Sequence, residues 1–251
     1  MTSPAFFEYL LRLGDDRLVV GHRLSEWCGH GPILEEDIAL TNIALDLIGE
    51  ATLLLKLAGQ VEGKGRSEDA LAYFRDGIDF RNALMLELPK GDFGFTILRQ
   101  FFFSVYSLLQ MEALTRSANA DLSGIAAKAV KESRYHVRHC AEWVVTLGDG
   151  TDESRARVQG AVDDLWRYTG ELFIADDIDR EVASAGLGVD PSTLSDRWHS
   201  EVSRVLDDAT LTIPKTGYMQ RGGREGKHTE HLGHMLSEMQ IVARSYPGAS
   251  W

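Results

Sequence analysis

A chain of 251 residues, 44% hydrophobic and 25% charged, has the composition of an ordinary globular protein long enough to bury one large core. Its formal net charge of −12 argues against a broad nucleic-acid face, which needs clustered lysine and arginine to meet phosphates. Cys28 and Cys140 are far apart and outside any C-x-x-C motif, so neither a zinc site nor a disulfide framework is expected.

The opening run MTSPAFFEYLLRLGDD has no basic segment before its apolar stretch and turns acidic at once, so it is not expected to be a secretory signal. Apolar residues recur at helical spacing along nearly every long segment, without strand alternation. This spacing predicts a first helix from Ala5 to Cys28, broken by Gly29–Pro32. A second runs from Glu35 to Ala58 and is apolar almost all round, the pattern of a helix surrounded by others. Asp46, Glu50 and Lys56 interrupt it, which favours a buried helix over a membrane span.

After the loop GQVEGKGRSE, Ser67 is the expected N-cap of a third helix reaching Leu88. PKGDFG separates it from a phenylalanine-rich fourth, ending near Ala118. A fifth spans Ala126 to Leu147 and stops at GDGTDES, and a sixth runs from Ser154 to Ser184. Asp190–Pro191 reads as the start of a short helix ending near Ala209. Residues 210–228 break all periodicity, and a last helix covers Thr229 to Ser245. The expected architecture is an all-α bundle with additional helices, one domain over residues 1–251, and an irregular basic, glycine-rich segment at 210–228. A cytoplasmic setting is expected, with no nucleic-acid or membrane partner.

The fifth helix carries the most telling stripe: Ile125, Ala129, Ser133, His136, Cys140, Trp143 and Leu147. A di-iron bundle supplies ligands from four successive helices as Glu, Glu-x-x-His, Glu and Glu-x-x-His. Here Ser133 stands where the glutamate before His136 belongs. Laid over the second to fifth predicted helices, the pattern meets Asp46 on the second and Asp79-Phe80-Arg81-Asn82 on the third. The middle of the fourth offers only Ser104 and Ser107, with Glu112 near its end. At most Asp46, Asp79 and His136 survive as ligands; Glu132 is a near miss beside His136. Two iron ions need several anionic oxygens, so the expectation is a lost metal site with vestigial positions Asp46, Asp79, Asn82, Ser133 and His136. An inward Asp46 would then need a cation or His136 beside it, because an unpaired buried charge costs roughly 3–5 kcal/mol.

Several stretches carry a family resemblance: Leu10–Asp15, Ser25–Pro32, Leu45–Gly49, Ala127–His136, Leu165–Thr169 and, most specifically, Arg221–Gly233 (RGGREGKHTEHLG). Over essentially its whole length the sequence resembles the non-catalytic structural subunits of the bacterial multicomponent phenylacetyl-CoA epoxidases. That resemblance implies a ferritin-like fold, no catalytic residue and no cofactor of the chain's own. It also implies a role as scaffold for a paralogous catalytic subunit that holds the di-iron centre. The complex so implied includes bridging and reductase subunits, uses NADPH, FAD, an iron–sulfur cluster and O₂, and epoxidises phenylacetyl-CoA.

Lys215, Arg221, Arg224 and Lys227 give the stretch from Pro214 to His228 a local charge near +3 in an acidic protein. With Gly222, Gly223 and Gly226 exposing backbone N–H groups, they are candidate contacts for CoA phosphates or for an acidic partner; the bland alternative is a loop pinned by salt bridges. His228, His231 and His234 follow, near Glu230 and Glu238, but positions three apart on a helix drift about 60°, so capping and hydrogen bonding are expected of them instead of metal binding. The rival reading is an independent di-iron oxygenase or ferritin using Asp46, Asp79, Glu132 and His136. A third is a stand-alone CoA-thioester binding protein.

Overall fold

The computed structural model describes residues 3–215 and 217–249. Among them lie ten α-helices and no strand. In chain order these are α1 (Pro4–Ser25), α2 (Leu34–Glu62), α3 (Glu68–Tyr73), α4 (Leu84–Glu87), α5 (Phe93–Leu114), α6 (Ala120–Gly148), α7 (Asp152–Thr169), α8 (Asp177–Ser184), α9 (Ser195–Asp208) and α10 (Glu230–Ser245). Ser3, Asp92 and Asn119 cap α1, α5 and α6 by accepting from Phe6, Phe95 and Leu122 N–H, and α2 ends on a left-handed Gly63.

Four helices make the central bundle: α1 pairs with α2, α5 with α6, and each pair packs on the other. The helices within each pair run antiparallel. Gly14 of α1 faces Leu55 of α2 while Gly21 faces Ile48, and Arg134 of α6 meets Glu112 while Trp143 meets Phe93 of α5. A Cβ at Gly14 would lie 2.8 Å from Leu55 Cδ2, so glycine is what lets α1 and α2 approach so closely. Since α2 and α5 point the same way, the segment between them is a long crossover. A bundle of this up-down plan with one crossover is the ferritin-like arrangement.

In that crossover the structure departs from the helix expected there. The expected third helix stops at Tyr73, continues as a 3₁₀ turn at Gly77–Asp79, and resumes only as the single turn α4. The reason lies in where its backbone donors go. Arg81 N–H donates to Asp15, Ala83 N–H to Asp16 and Leu84 N–H to Glu171, at 2.7–2.8 Å, instead of to carbonyls one turn back. The expected sixth helix is likewise divided, into α7, a 3₁₀ turn at Gly170–Phe173, and α8, whose N-cap Asp176 accepts from Ile178 and Asp179 N–H. Asp176 and Asp179 together hold the buried Arg12 of α1. Burial opposes ionisation of Asp176, but the Arg12 guanidinium keeps its carboxyl down at about 2.

α9 closes the far side of α5, with Trp198 fully buried against Phe102, Trp166 and Phe173, its indole N–H bonded to Phe102 O at 2.9 Å. The second helix is not surrounded. Its inner face fills the core, but Leu34, Ile38, Leu45 and Leu53 stand 71%, 52%, 61% and 37% exposed along its outer side. On length and composition α2 could cross a membrane, yet half of its most apolar window is buried inside the bundle.

Candidate functional site

The bundle centre is built from the midpoints of α1, α2, α5 and α6, so the helices bearing candidate ligands are not the second to fifth of the sequence reading. The first helix belongs to the set and the crossover does not. Arg17 of α1 is fully buried at this level. Its Nε donates to Glu50 Oε2 of α2 at 2.6 Å, its Nη2 to Ser107 Oγ of α5 at 2.9 Å, and its Nη1 to Leu13 O at 3.0 Å. The guanidinium carbon lies 5.9 Å from the Phe103 ring centroid. Glu50 Oε1 is buried and has no hydrogen-bond partner among the described residues.

On the α2–α6 seam, Asp46 Oδ2 lies 3.0 Å from His136 Nε2, so Asp46 has the partner that its inward side requires, although 36% of its side chain faces solvent. His139 sits 3.1 Å from Glu36 further along the same seam. Glu132 pairs with Lys128 at 2.9 Å, and Ser133 is buried beside His136. Asp79 and Asn82 are elsewhere. Asp79 is exposed at the end of the 3₁₀ turn, and its carbonyl accepts from Arg75. Asn82 is buried in the crossover and donates to Glu87 at 2.8 Å. The helical register that joined them to the metal pattern does not exist, because no helix runs through 79–82.

These residues do not fit a di-iron centre. At the level where such a bundle presents carboxylates, α1 presents a guanidinium, α5 presents Ser104 and Ser107, and α6 presents Ser133. Glu50 is already bound to Arg17. Among the described residues no three His, Cys, Asp or Glu side chains are grouped so as to hold an ion. The sequence does carry a signal for this: Asp15-Asp16-Arg17 puts three consecutive charges in the middle of α1, directly before the apolar run Leu18-Val19-Val20. Charges there must be buried, and each must have a partner.

Those partners explain the basic, glycine-rich segment. Glu171 fills the anion cradle expected there, accepting from Gly222 and Gly223 N–H at 2.7 and 2.8 Å as well as from Leu84. Arg224 is committed to Asp16 through both terminal nitrogens at 2.8 Å and to Arg81 O. Neither Gly222–Gly223 nor Arg224 is therefore available to a CoA phosphate. Glu171 of the Gly170–Phe173 turn and Asp16 of α1 already occupy these donors. Lys227 is exposed and pairs with Glu225, while Lys215 and Arg221 are exposed. His231 is half-buried, its carbonyl accepting from Arg23, and His234 is exposed.

The family model described as phenylacetic acid catabolic protein matches residues 1–251. The chain belongs to that family. The C subunit of the 1,2-phenylacetyl-CoA epoxidase of Escherichia coli (strain K12) is 47% identical over 243 residues, covering 97% of this chain and 98% of that protein. The resemblance read from the sequence is thus established across the whole chain, and the ferritin-like helical fold goes with the family. Its most specific motif, Arg221–Gly233, is the strap that ties the C-terminal segment to the crossover.

His228 belongs to that strap. One ring nitrogen lies 2.7 Å from Glu87 Oε2 and the other 3.0 Å from Phe80 O. A carbonyl and an ionised carboxylate both accept, an arrangement that favours the doubly protonated ring. Burial alone would lower its pKa, but the hydrogen bond and charge of Glu87 outweigh burial and raise it above the ordinary 6.5. A raised histidine contributes stability that is fully present below the unfolded value and is lost as pH rises through the folded value. The urea midpoint of the wild type should therefore exceed that of His228→Gln most at about pH 6, with the gap narrowing by about pH 9. A gap independent of pH would contradict this.

Proposed function

We propose that this chain is a structural subunit of a multicomponent epoxidase acting on phenylacetyl-CoA, stabilising and orienting a catalytic subunit without performing the oxidation itself. The single observation that carries this reading is the Arg17–Glu50 ion pair at the level where a di-iron bundle needs carboxylates. The 47% identical relative is an epoxidase subunit, which supports the complex and the substrate class. The iron, and the reductase groups that deliver electrons from NADPH (FAD and an iron–sulfur cluster), reside in other subunits. The setting is the cytoplasm, in keeping with two free cysteines, Cys28 and Cys140.

Docking needs surface, and the outer face of α2 provides it: an exposed apolar row rarely left open on a monomer. Lys215 and Arg221 are exposed cations of the segment that remain for partner or CoA contact, and Lys227 is exposed in its pair with Glu225. Co-expression with the catalytic subunit tests the reading. The pair should co-purify, epoxidise phenylacetyl-CoA with reductase and NADPH, and hold its iron in the other subunit. Ile38→Lys combined with Leu45→Lys should leave this chain's own stability within about 0.5 kcal/mol, since both sites are exposed, yet abolish co-purification. Stoichiometric iron with O₂ consumption by this chain alone would support the rival reading as an independent di-iron enzyme.

A further inference from the structure

The bundle centre contains a cation that the chain itself supplies. Arg17 lies near the middle of α1, Glu50 near that of α2 and Ser107 on the facing turn of α5, and each nitrogen of the guanidinium has an oxygen partner. A metal ion in a helical bundle does two things: it neutralises inward carboxylates, and it ties together the helices that carry them. Arg17 does both. It balances Glu50, which is 1% exposed, and it joins α1, α2 and α5 through one planar group. We infer that Arg17 is a covalently attached stand-in for a metal ion, closing the bundle centre to divalent cations by charge while holding the helices as an ion would.

A stand-in for a metal differs from an ordinary buried salt bridge in what its removal uncovers. Glu50 Oε1 is buried with no hydrogen-bond partner among the described residues, and the Ser107 hydroxyl, bonded to the guanidinium, is buried on the facing helix. Replacing the guanidinium by a carboxylate would leave two acids and the Ser107 hydroxyl oxygen around one centre, a donor set suited to a hard cation such as Mn²⁺. All of these groups belong to this chain, so the outcome is independent of subunit docking.

Tm and equilibrium dialysis on the full chain, with millimolar Mn²⁺ or with EDTA, provide the test. The wild type should bind no Mn²⁺ at the centre and keep the same Tm in both. Arg17→Glu should melt roughly 10 °C lower in EDTA, regain much of that loss in Mn²⁺, and bind about one ion per chain. Adding Glu50→Gln should abolish the response. Should Arg17→Glu not fold in EDTA, the refolding yield in Mn²⁺ against EDTA gives the same answer. Arg17→Met with Glu50→Leu should restore a Tm near wild type and ignore cations, since an apolar pair of similar volume can replace a buried ion pair. Three results would each overturn the inference: a wild type that loses Tm in EDTA, a folded Arg17→Glu indifferent to Mn²⁺, or a response that survives Glu50→Gln.

Discussion

Arg224→Met should destabilise the fold by about 3–5 kcal/mol, read as a lowered urea midpoint with an unchanged slope. The cost follows from what is left behind. Asp16 is fully buried, and its one other donor among the described residues is Ala83 N–H, so without the guanidinium a carboxylate remains in the core with one neutral hydrogen bond. Arg81 O loses a donor as well. The attraction between the pair is strong enough to raise the Arg224 pKa even though burial opposes its charge. Asp16→Asn combined with Arg224→Met should cost clearly less than the two single changes together, because the buried charge is gone. Lys227→Met, a few residues on, should cost nothing measurable, since its pair with Glu225 is exposed. If Lys227→Met and Arg224→Met behave alike, the segment is a solvated loop and not a strap. Charge reversal at Arg224 is thus a poor probe of CoA or partner binding, because it would act through unfolding. Arg221 and Lys215 are the residues to reverse.

Much of the bundle could be read from sequence because its helices are long and one-sided in the core. The apolar spacing located α1, α2, α5, α6, α9 and α10 to within a few residues at most ends. The crossover could not be read the same way. Its segment carries helical spacing from Leu71 to Leu88, but carboxylates from distant parts of the chain take its backbone donors. Asp15 reaches Arg81 across 66 residues and Glu171 reaches Leu84 across 87, and no local pattern reports such bonds. That one misread helix moved the metal pattern off its true frame. α1 is a bundle helix, and its Arg17 meets Glu50 and Ser107 at the level where carboxylates are missing. His136 and Asp46 were found because they lie on helices the periodicity located correctly.

Two glycines of the Arg221–Gly233 motif should respond to alanine with opposite signs. Gly223 sits in a 3₁₀ turn against the crossover, where an added Cβ would come 2.1 Å from Asn82 O. That oxygen is backbone and cannot swing aside, so the strap must lift, loosening the Gly222 and Gly223 bonds to Glu171 and, with them, the seat of Arg224. Gly223→Ala should therefore cost on the order of 4 kcal/mol, the range reached when a buried polar network is broken. Gly233 is in the first turns of α10, exposed, with nothing within 4 Å of its would-be Cβ. There Gly233→Ala should add up to about 1 kcal/mol, the helix-propensity gain alone. Thermal melts of the two variants against wild type read both signs directly. Should the strap serve only to hold the chain's own fold, Gly233→Ala will also leave co-purification with the catalytic subunit unchanged. A loss of co-purification in that stabilised variant would instead place a partner on the exposed face of α10.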